Sequence, residues 1–374
     1  MSTSTHPYDL KIGYPHLSIV PRERLTELSA GLFTRDRPLQ YVGDMRGDTW
    51  TREQVAAWLT ALSGQAVGVE NLQITGGAIS STDQVCRYLT KPGDLVLVEN
   101  PTFYFIIHKL ELSHVAVQGV PMLSDGVDMD VLEAMLKEHG DRVSMFYAIP
   151  TYHNPTGHNY SDEKRRRLVE LAHEYDFTIL EDATYQPLYF HGEPPPMLRT
   201  YDPDSGRVIT TASFAKLVMP SLRIGYTWCT PEQVEALLPY KTTATSVFMS
   251  QLVGEFIAQG DIYPHLDRVR GIYGRKHDIM IDGLKAHAPD WLDYVVPNGG
   301  YFVWATLPDG LTATQVLAAA NARGVDFAPG QRAFVRGEAP DNTMRLCFAM
   351  SEDEVMAEGT QLLCEVLEEL RVEA

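Results

Sequence analysis

The sequence is poor in cysteine: four in 374 residues, at positions 86, 229, 347 and 364. They lie far apart, with no Cys-x-x-Cys and no histidine at ligand spacing. That pattern excludes a disulfide-stapled fold and a structural zinc site, and leaves four reduced thiols packed in a core. No run of about 18 apolar residues occurs, and residues 1–15 (MSTSTHPYDLKIGYP) have no apolar signal core. A membrane span and a leader are not expected; a cytoplasmic location is. Positive charge is also short, with 31 Lys and Arg against 49 Asp and Glu, a net charge of −18. Such a surface repels nucleic acid and anionic membrane, so neither is expected as a partner. A pocket sets its own local field, and a small anionic ligand stays compatible. Internal repeats and low-complexity tracts are absent, and the one proline-rich stretch, HGEPPPM at 191–197, reads as a loop.

What is present is the balance of a globular protein. Apolar residues make up 44% and charged residues 21%, over a length sufficient for one large domain and a smaller one. Short apolar runs mark buried strands at 94–100, 113–120, 142–149, 177–182, 207–214 and 224–229. Helical periodicity intervenes at 52–63, 128–139 and 161–175, the last with Ser161 as N-cap and acidic residues in its first turn. This alternation predicts an α/β fold, a mainly parallel sheet flanked by helices. Ligands of such sheets bind at the carboxyl ends of strands. After residue 265 the pattern becomes a long helix (264–287), a helix at 312–323, a strand pair around VDFAPG and MRLCFAM, and a closing helix at 351–371. The expected division is an N-terminal segment of little regular pattern that joins the small domain (1–45), a large domain (46–265) and a smaller α+β domain (266–374).

Five features stand just after strands or inside apolar segments. Gly76-Gly77-Ala78-Ile79 leads from a strand end into a helix. It suits either a plain strand-to-helix turn or an anion held by backbone N–H groups at the helix start. YHNPTG at 152–157 is a turn signal at a strand end. Asp182 closes the apolar strand of ILEDATY; it is a helix N-cap, an ion-pair member, or the partner of a buried protonated ring nitrogen. Lys216 follows a strand by one turn in SFAKLVMPSLRIGY, with Ser213 and Arg223 beside it. A lone lysine there snorkels to the surface or, if desolvated, becomes an amine nucleophile; the hydroxyl and guanidinium suit a phosphate. Arg345 in MRLCFAM needs an anion, from an internal salt bridge or from a substrate carboxylate.

The order of these features resembles the fold-type I pyridoxal-phosphate aminotransferases of class I/II, closest to the branch with the aminoadipate and kynurenine aminotransferases. The resemblance runs from LKIGYP to MRLCFA, and its specific motifs are NPTG and SF-x-K-x-x-x-P-x-LR-x-G. It implies that family's mainly parallel, seven-stranded-type sheet and pyridoxal 5′-phosphate as cofactor. It also implies an α-amino acid and a 2-oxo acid as substrates, a homodimer with shared active sites, and no metal. Lys216 would carry the cofactor as a Schiff base, and the reaction would pass through a quinonoid. Lys216, Asp182 and Tyr185 are the implied catalytic residues, with Asp182 on the pyridinium nitrogen. Asn154 and Tyr185 would hold the phenolic oxygen and Phe103 would stack on the ring. The backbone at Gly77, Ala78 and Ile79, with Ser213 and Arg223, would hold the phosphate. Tyr41 would reach the phosphate of the neighbouring subunit. Arg345 would bind the substrate carboxylate, with Gly13, Tyr14 and Asn154 lining its pocket. Three positions depart from the family pattern: Ala215 stands where a serine is usual, Ala78-Ile79 where a polar residue is common, and Tyr14 in place of a smaller residue. They motivate an alternative, a non-transaminating cyclase, oxidase or β/γ-elimination or replacement enzyme of a specialised biosynthetic pathway. The DNA-binding regulators that carry a similar domain are not expected, given the acidic charge and a pocket motif starting near residue 11.

Overall fold

The computed structural model describes residues 6–37, 39–40, 43–337 and 339–372. The main sheet has eight strands in the order Leu72–Thr75, Gly225–Trp228, Val208–Ser213, Thr178–Asp182, Val143–Ala148, Leu95–Asn100, Ala116–Leu123 and Gly126–Val127. The five from Val208–Ser213 to Ala116–Leu123 are parallel. Gly225–Trp228 is antiparallel to both neighbours, which turns Leu72–Thr75 back into the common direction. Gly126–Val127 adds a two-residue hairpin at the far edge. The expected seven strands are therefore present, with that hairpin as an eighth. The central strands are continuous apolar runs because helices cover both faces; Leu95 to Val98 and Met145 to Ala148 are all buried. Helix Asp162–Glu174 begins as its sequence indicates, with Ser161 Oγ accepting from Lys164 N–H.

A second, antiparallel sheet joins Asp293–Tyr294, Phe302–Thr306, Thr343–Cys347 and Ala328–Pro329. Tyr8–Asp9 pairs with Val325–Asp326 next to it. The long helix Ile262–His287 serves both cores. Its Ile262, Leu266, Val269 and Tyr273 pack in the cluster that includes Tyr185, Phe214 and Tyr226, and its Met280, Ile281 and Leu284 pack with the small sheet.

Two segments differ from the sequence reading. Residues 1–45 contain a helix, Arg22–Leu32, that buries Leu25, Leu28 and Leu32. Three leucines at i, i+3 and i+7 were its only periodic signal. Val247–Ala258 is a helix whose residues Ser250 to Ile257 are all buried. With no solvent face it has no amphipathic period to find.

Strands Leu72–Thr75, Val208–Ser213, Thr178–Asp182, Val143–Ala148 and Leu95–Asn100 all end at one edge of the sheet. Across that edge Thr75, Gly225 and Ser213 are in register. A Cβ on Gly225 would lie 2.5 Å from the Ala212 carbonyl and 2.8 Å from Gly77 Cα. Only a glycine lets the Gly76-Gly77 turn seat on the sheet. Gly225→Ala should lower stability by about 1–3 kcal/mol through backbone overpacking, measured as a shifted urea midpoint with unchanged slope.

Candidate active site

A cleft of about 380 Å³ opens at this edge. Five strand ends and one strand of the small sheet deliver its polar groups.

Lys216 sits in the tight turn after Val208–Ser213. Ser213 Oγ braces that turn, donating to the Ile224 carbonyl and accepting from Ala215 N–H, each at 3.1 Å. The half-buried Lys216 donates through Nζ to the Gly13 carbonyl. Nζ lies 5.6 Å from the Tyr14 ring centroid and 5.4 Å from that of Tyr301. Desolvation among these rings pulls the amine from a lysine's usual 10.5 down to about 8. Arg345 and Arg223 act in the same direction, against Cys347 and Asp182.

Asp182, the last residue of its strand, is buried. Tyr147 donates to its Oδ2 at 3.0 Å and Thr184 N–H to its Oδ1 at 3.0 Å. Burial still raises its carboxyl above the usual range, and those hydrogen bonds hold it back only in part. Tyr185 lies nearby with its ring edge on Tyr301 and Phe302. Burial pushes its phenol well up, so it is a neutral donor.

Arg345 reaches the cleft from the small sheet over the Phe302 ring, 4.3 Å from its centroid. Nη1 donates to Asn154 Oδ1 at 3.2 Å and Nη2 to the Lys11 carbonyl at 3.0 Å, while the buried Nε has no partner. Opposite, helix Ala78–Leu89 starts at Gly77 (φ +103°) with no side-chain cap. Arg223, held in the left-handed region at φ 52°, donates to the Gly76 carbonyl at 3.0 Å. Free helix N–H groups and a guanidinium thus face one spot.

Gly13, Tyr14, Ala78, Ile79, Phe103 and Asn154 line the cleft, as do Asp182, Tyr185, Ser213, Lys216, Arg223 and Arg345. Gly77 builds the turn behind them. Tyr41 lies outside the described residues. The sequence reading missed Tyr147, Thr184, Tyr301 and Phe302. Tyr147 comes from the end of a strand parallel to the one carrying Asp182, but only the register of the two strands puts it there. Tyr301 Oη donates to the Lys216 carbonyl at 3.1 Å, a contact across 85 residues that no local pattern reveals. Away from the cleft lining, His191, His277 and Asp278 place ligand-type atoms within 4.8 Å, and Asp278 Oδ1 meets the two imidazoles at 3.3 and 2.9 Å.

Asp182, Lys216, Arg223 and Arg345 are the charged residues lining the cleft. Among the described residues none of the four is in an ion pair. The set leaves places for an anion at the helix start, a ring cation at Asp182, an electrophile at Lys216 and a carboxylate at Arg345.

The model of the family described as "Aminotransferase class I and II" matches residues 9–361. The chain belongs to that family. It is an enzyme that transfers amino groups, and the non-transaminating alternative is not favoured. This aminotransferase is 31% identical over 365 residues to the aromatic-amino-acid aminotransferase 1 of Thermococcus litoralis, covering 96% of this chain and 87% of the relative. It is 32% identical to the 2-aminoadipate transaminase of Thermus thermophilus, over 96% and 89% of the two chains. Among solved structures, the multiple substrate aminotransferase of Thermococcus profundus superposes with a TM-score of 0.93 at 29% identity, over 100% and 94% of the chains. The kynurenine aminotransferase of Pyrococcus horikoshii, solved with PMP, gives 0.92 at 28% identity, over 98% and 92%. The fold is that of the fold-type I enzymes.

The free-base fraction of Lys216 grows as pH rises through about 8, below the range of a solvated lysine. With the apoprotein, labelling of Lys216 by a small aldehyde and borohydride should therefore climb with a midpoint near 8. A midpoint above 10 in site-resolved mass spectrometry contradicts the desolvated amine.

Proposed function

We propose that this aminotransferase works with pyridoxal 5′-phosphate held in the cleft, taking its amino group from an aromatic amino acid. The observation that carries this reading is the set of four cleft charges with no ionic partner of their own. Bound pyridoxal phosphate supplies an aldehyde for the amine and an electron-withdrawing ring that makes the substrate Cα–H acidic.

Each residue then has one task. Lys216 Nζ would anchor the cofactor, take the proton from the substrate Cα and deliver it to what was the cofactor's aldehyde carbon; a pKa near 8 leaves a working free-base fraction at neutral pH. Asp182 stays in place through Tyr147 and Thr184 and pairs with the ring nitrogen. Asn154 spends Oδ1 on Arg345, which leaves its amide N–H groups, with the Tyr185 hydroxyl, to donate to the ring oxygen. Phe103 packs on the ring. Ala215 and Ile79 offer no hydroxyl, so helix N–H groups, Arg223 and, once its hydroxyl turns from the Ile224 carbonyl, Ser213 carry the phosphate. Arg345, with Nε still unpartnered, clamps the substrate carboxylate.

With those tasks assigned, no cation of the described cleft lining remains for a second carboxylate. The open wall is apolar instead: Tyr14 is 61%, Tyr104 49% and Ile79 41% exposed. That wall suits an aromatic side chain, the class named for the Thermococcus litoralis relative. A 2-oxo acid is the acceptor. This reading includes a cytoplasmic homodimer with shared sites and with Tyr41 at the neighbour's phosphate. Four free, buried cysteines accord with a reducing compartment. The division at 1–45, 46–265 and 266–374 belongs to the same proposal. Its second boundary lies in the first turn of the helix Ile262–His287.

Three measurements test this. Lys216→Ala should abolish the borohydride-reducible cofactor absorbance together with turnover; turnover at wild-type rate ends the assignment. In a panel of donors, phenylalanine and tyrosine should exceed glutamate and aspartate in kcat/KM by about 10-fold or more, because an unpaired carboxylate would be desolvated. Arg345→Lys should raise KM for every donor by losing bidentate geometry. Equal kcat/KM for phenylalanine and glutamate removes the aromatic reading.

A further inference from the structure

Glu99 and His153 are both completely buried, and neither lines the cleft. Glu99 accepts from Ile149 N–H at 3.0 Å on Oε1 and 2.9 Å on Oε2, and from the Thr102 hydroxyl at 3.4 Å on Oε2. His153 Nε2 is 3.0 Å from Oε2. On the other side of the imidazole, Thr156 N–H donates to Nδ1 at 3.3 Å, and the Thr156 hydroxyl lies 2.8 Å from it. Nδ1 is therefore the bare nitrogen. Nε2 carries the proton and donates it to Glu99. Among the described residues no lysine or arginine pairs with this carboxylate. A completely buried carboxyl and imidazole cost more than an apolar pair that would pack in the same place.

What the arrangement connects gives it a role. Glu99 belongs to strand Leu95–Asn100, and the turn after that strand carries Thr102 and Phe103. Ile149 and His153 follow strand Val143–Ala148, and the turn there carries Asn154. Both turns start where the sheet ladder ends, so the ladder no longer fixes their separation. Resting on the proposed cofactor reading, we infer that Glu99 and His153 are positioning residues for the cofactor pocket. One buried carboxylate ties the turn bearing Phe103 to the turn bearing Asn154 and so sets the gap in which the ring lies. Neither residue lines the cleft; His153 acts through the adjacent Asn154, and Glu99 through Thr102, the residue before Phe103.

The test compares His153→Leu, which keeps bulk but removes the imidazole's hydrogen bonds, with His153→Gln, which retains an N–H able to reach Glu99. Pyridoxal phosphate is titrated into each apoprotein and followed by absorbance. His153→Leu should bind it about 10-fold more weakly, the scale of one unsatisfied buried group, and shift the bound absorption band. His153→Gln should recover most of the affinity. At saturating cofactor kcat should fall while KM for the amino donor stays within about 3-fold, because Arg345 is untouched. If His153→Leu does not fold, Thr156→Val removes one support of the imidazole and should move affinity and spectrum the same way by less. A variant with a lower melting temperature but wild-type cofactor affinity and spectrum overturns the inference and leaves the cofactor reading standing. A wild-type protein that takes up no pyridoxal phosphate overturns both.

Discussion

Four charged groups gathered in one cleft without an ionic partner are the constraint on which this molecule turns. Asp182, Lys216, Arg223 and Arg345 face one small cleft, and the protein supplies them with carbonyls, a phenol and backbone N–H groups in place of counter-ions. Asp182 is buried and Lys216 and Arg345 are half-buried, while Arg223 keeps its contact with solvent. Here burial raises one carboxyl and lowers one amine. Both shifts leave the groups ready to gain stability when a ligand of the opposite character arrives.

The sheet makes that arrangement possible. Parallel strands end at a common edge, and each end can present one residue there at a spacing fixed by the ladder. Arg345 alone comes from elsewhere, from an antiparallel strand of the second sheet. The large sheet thus assembles the groups proposed for the cofactor, and the small sheet brings the group proposed for the substrate.

Much of this was legible in the chain itself. Strands of the main sheet announce themselves as short apolar runs, and all six that were read, five of them parallel, lie within three residues of the observed bounds. The polar residues just past them converge because strand ends converge. What escaped reading was information carried by partners far along the chain. Tyr147 is one more aromatic in an apolar run until its register beside Thr178–Asp182 is known. Val247–Ala258 has no polar face to betray its period. His153 stands next to Asn154 in the chain, yet its imidazole meets Glu99, 54 positions earlier, and not the cleft.

The long helix Ile262–His287 has a mechanical consequence. Its first half is part of one core and its second half part of the other. A cut at residue 265 would strip Leu266, Val269 and Tyr273 from the partners they bury. Neither piece would keep a closed interior, so the helix is one beam that ties the sheet carrying Lys216 to the sheet carrying Arg345.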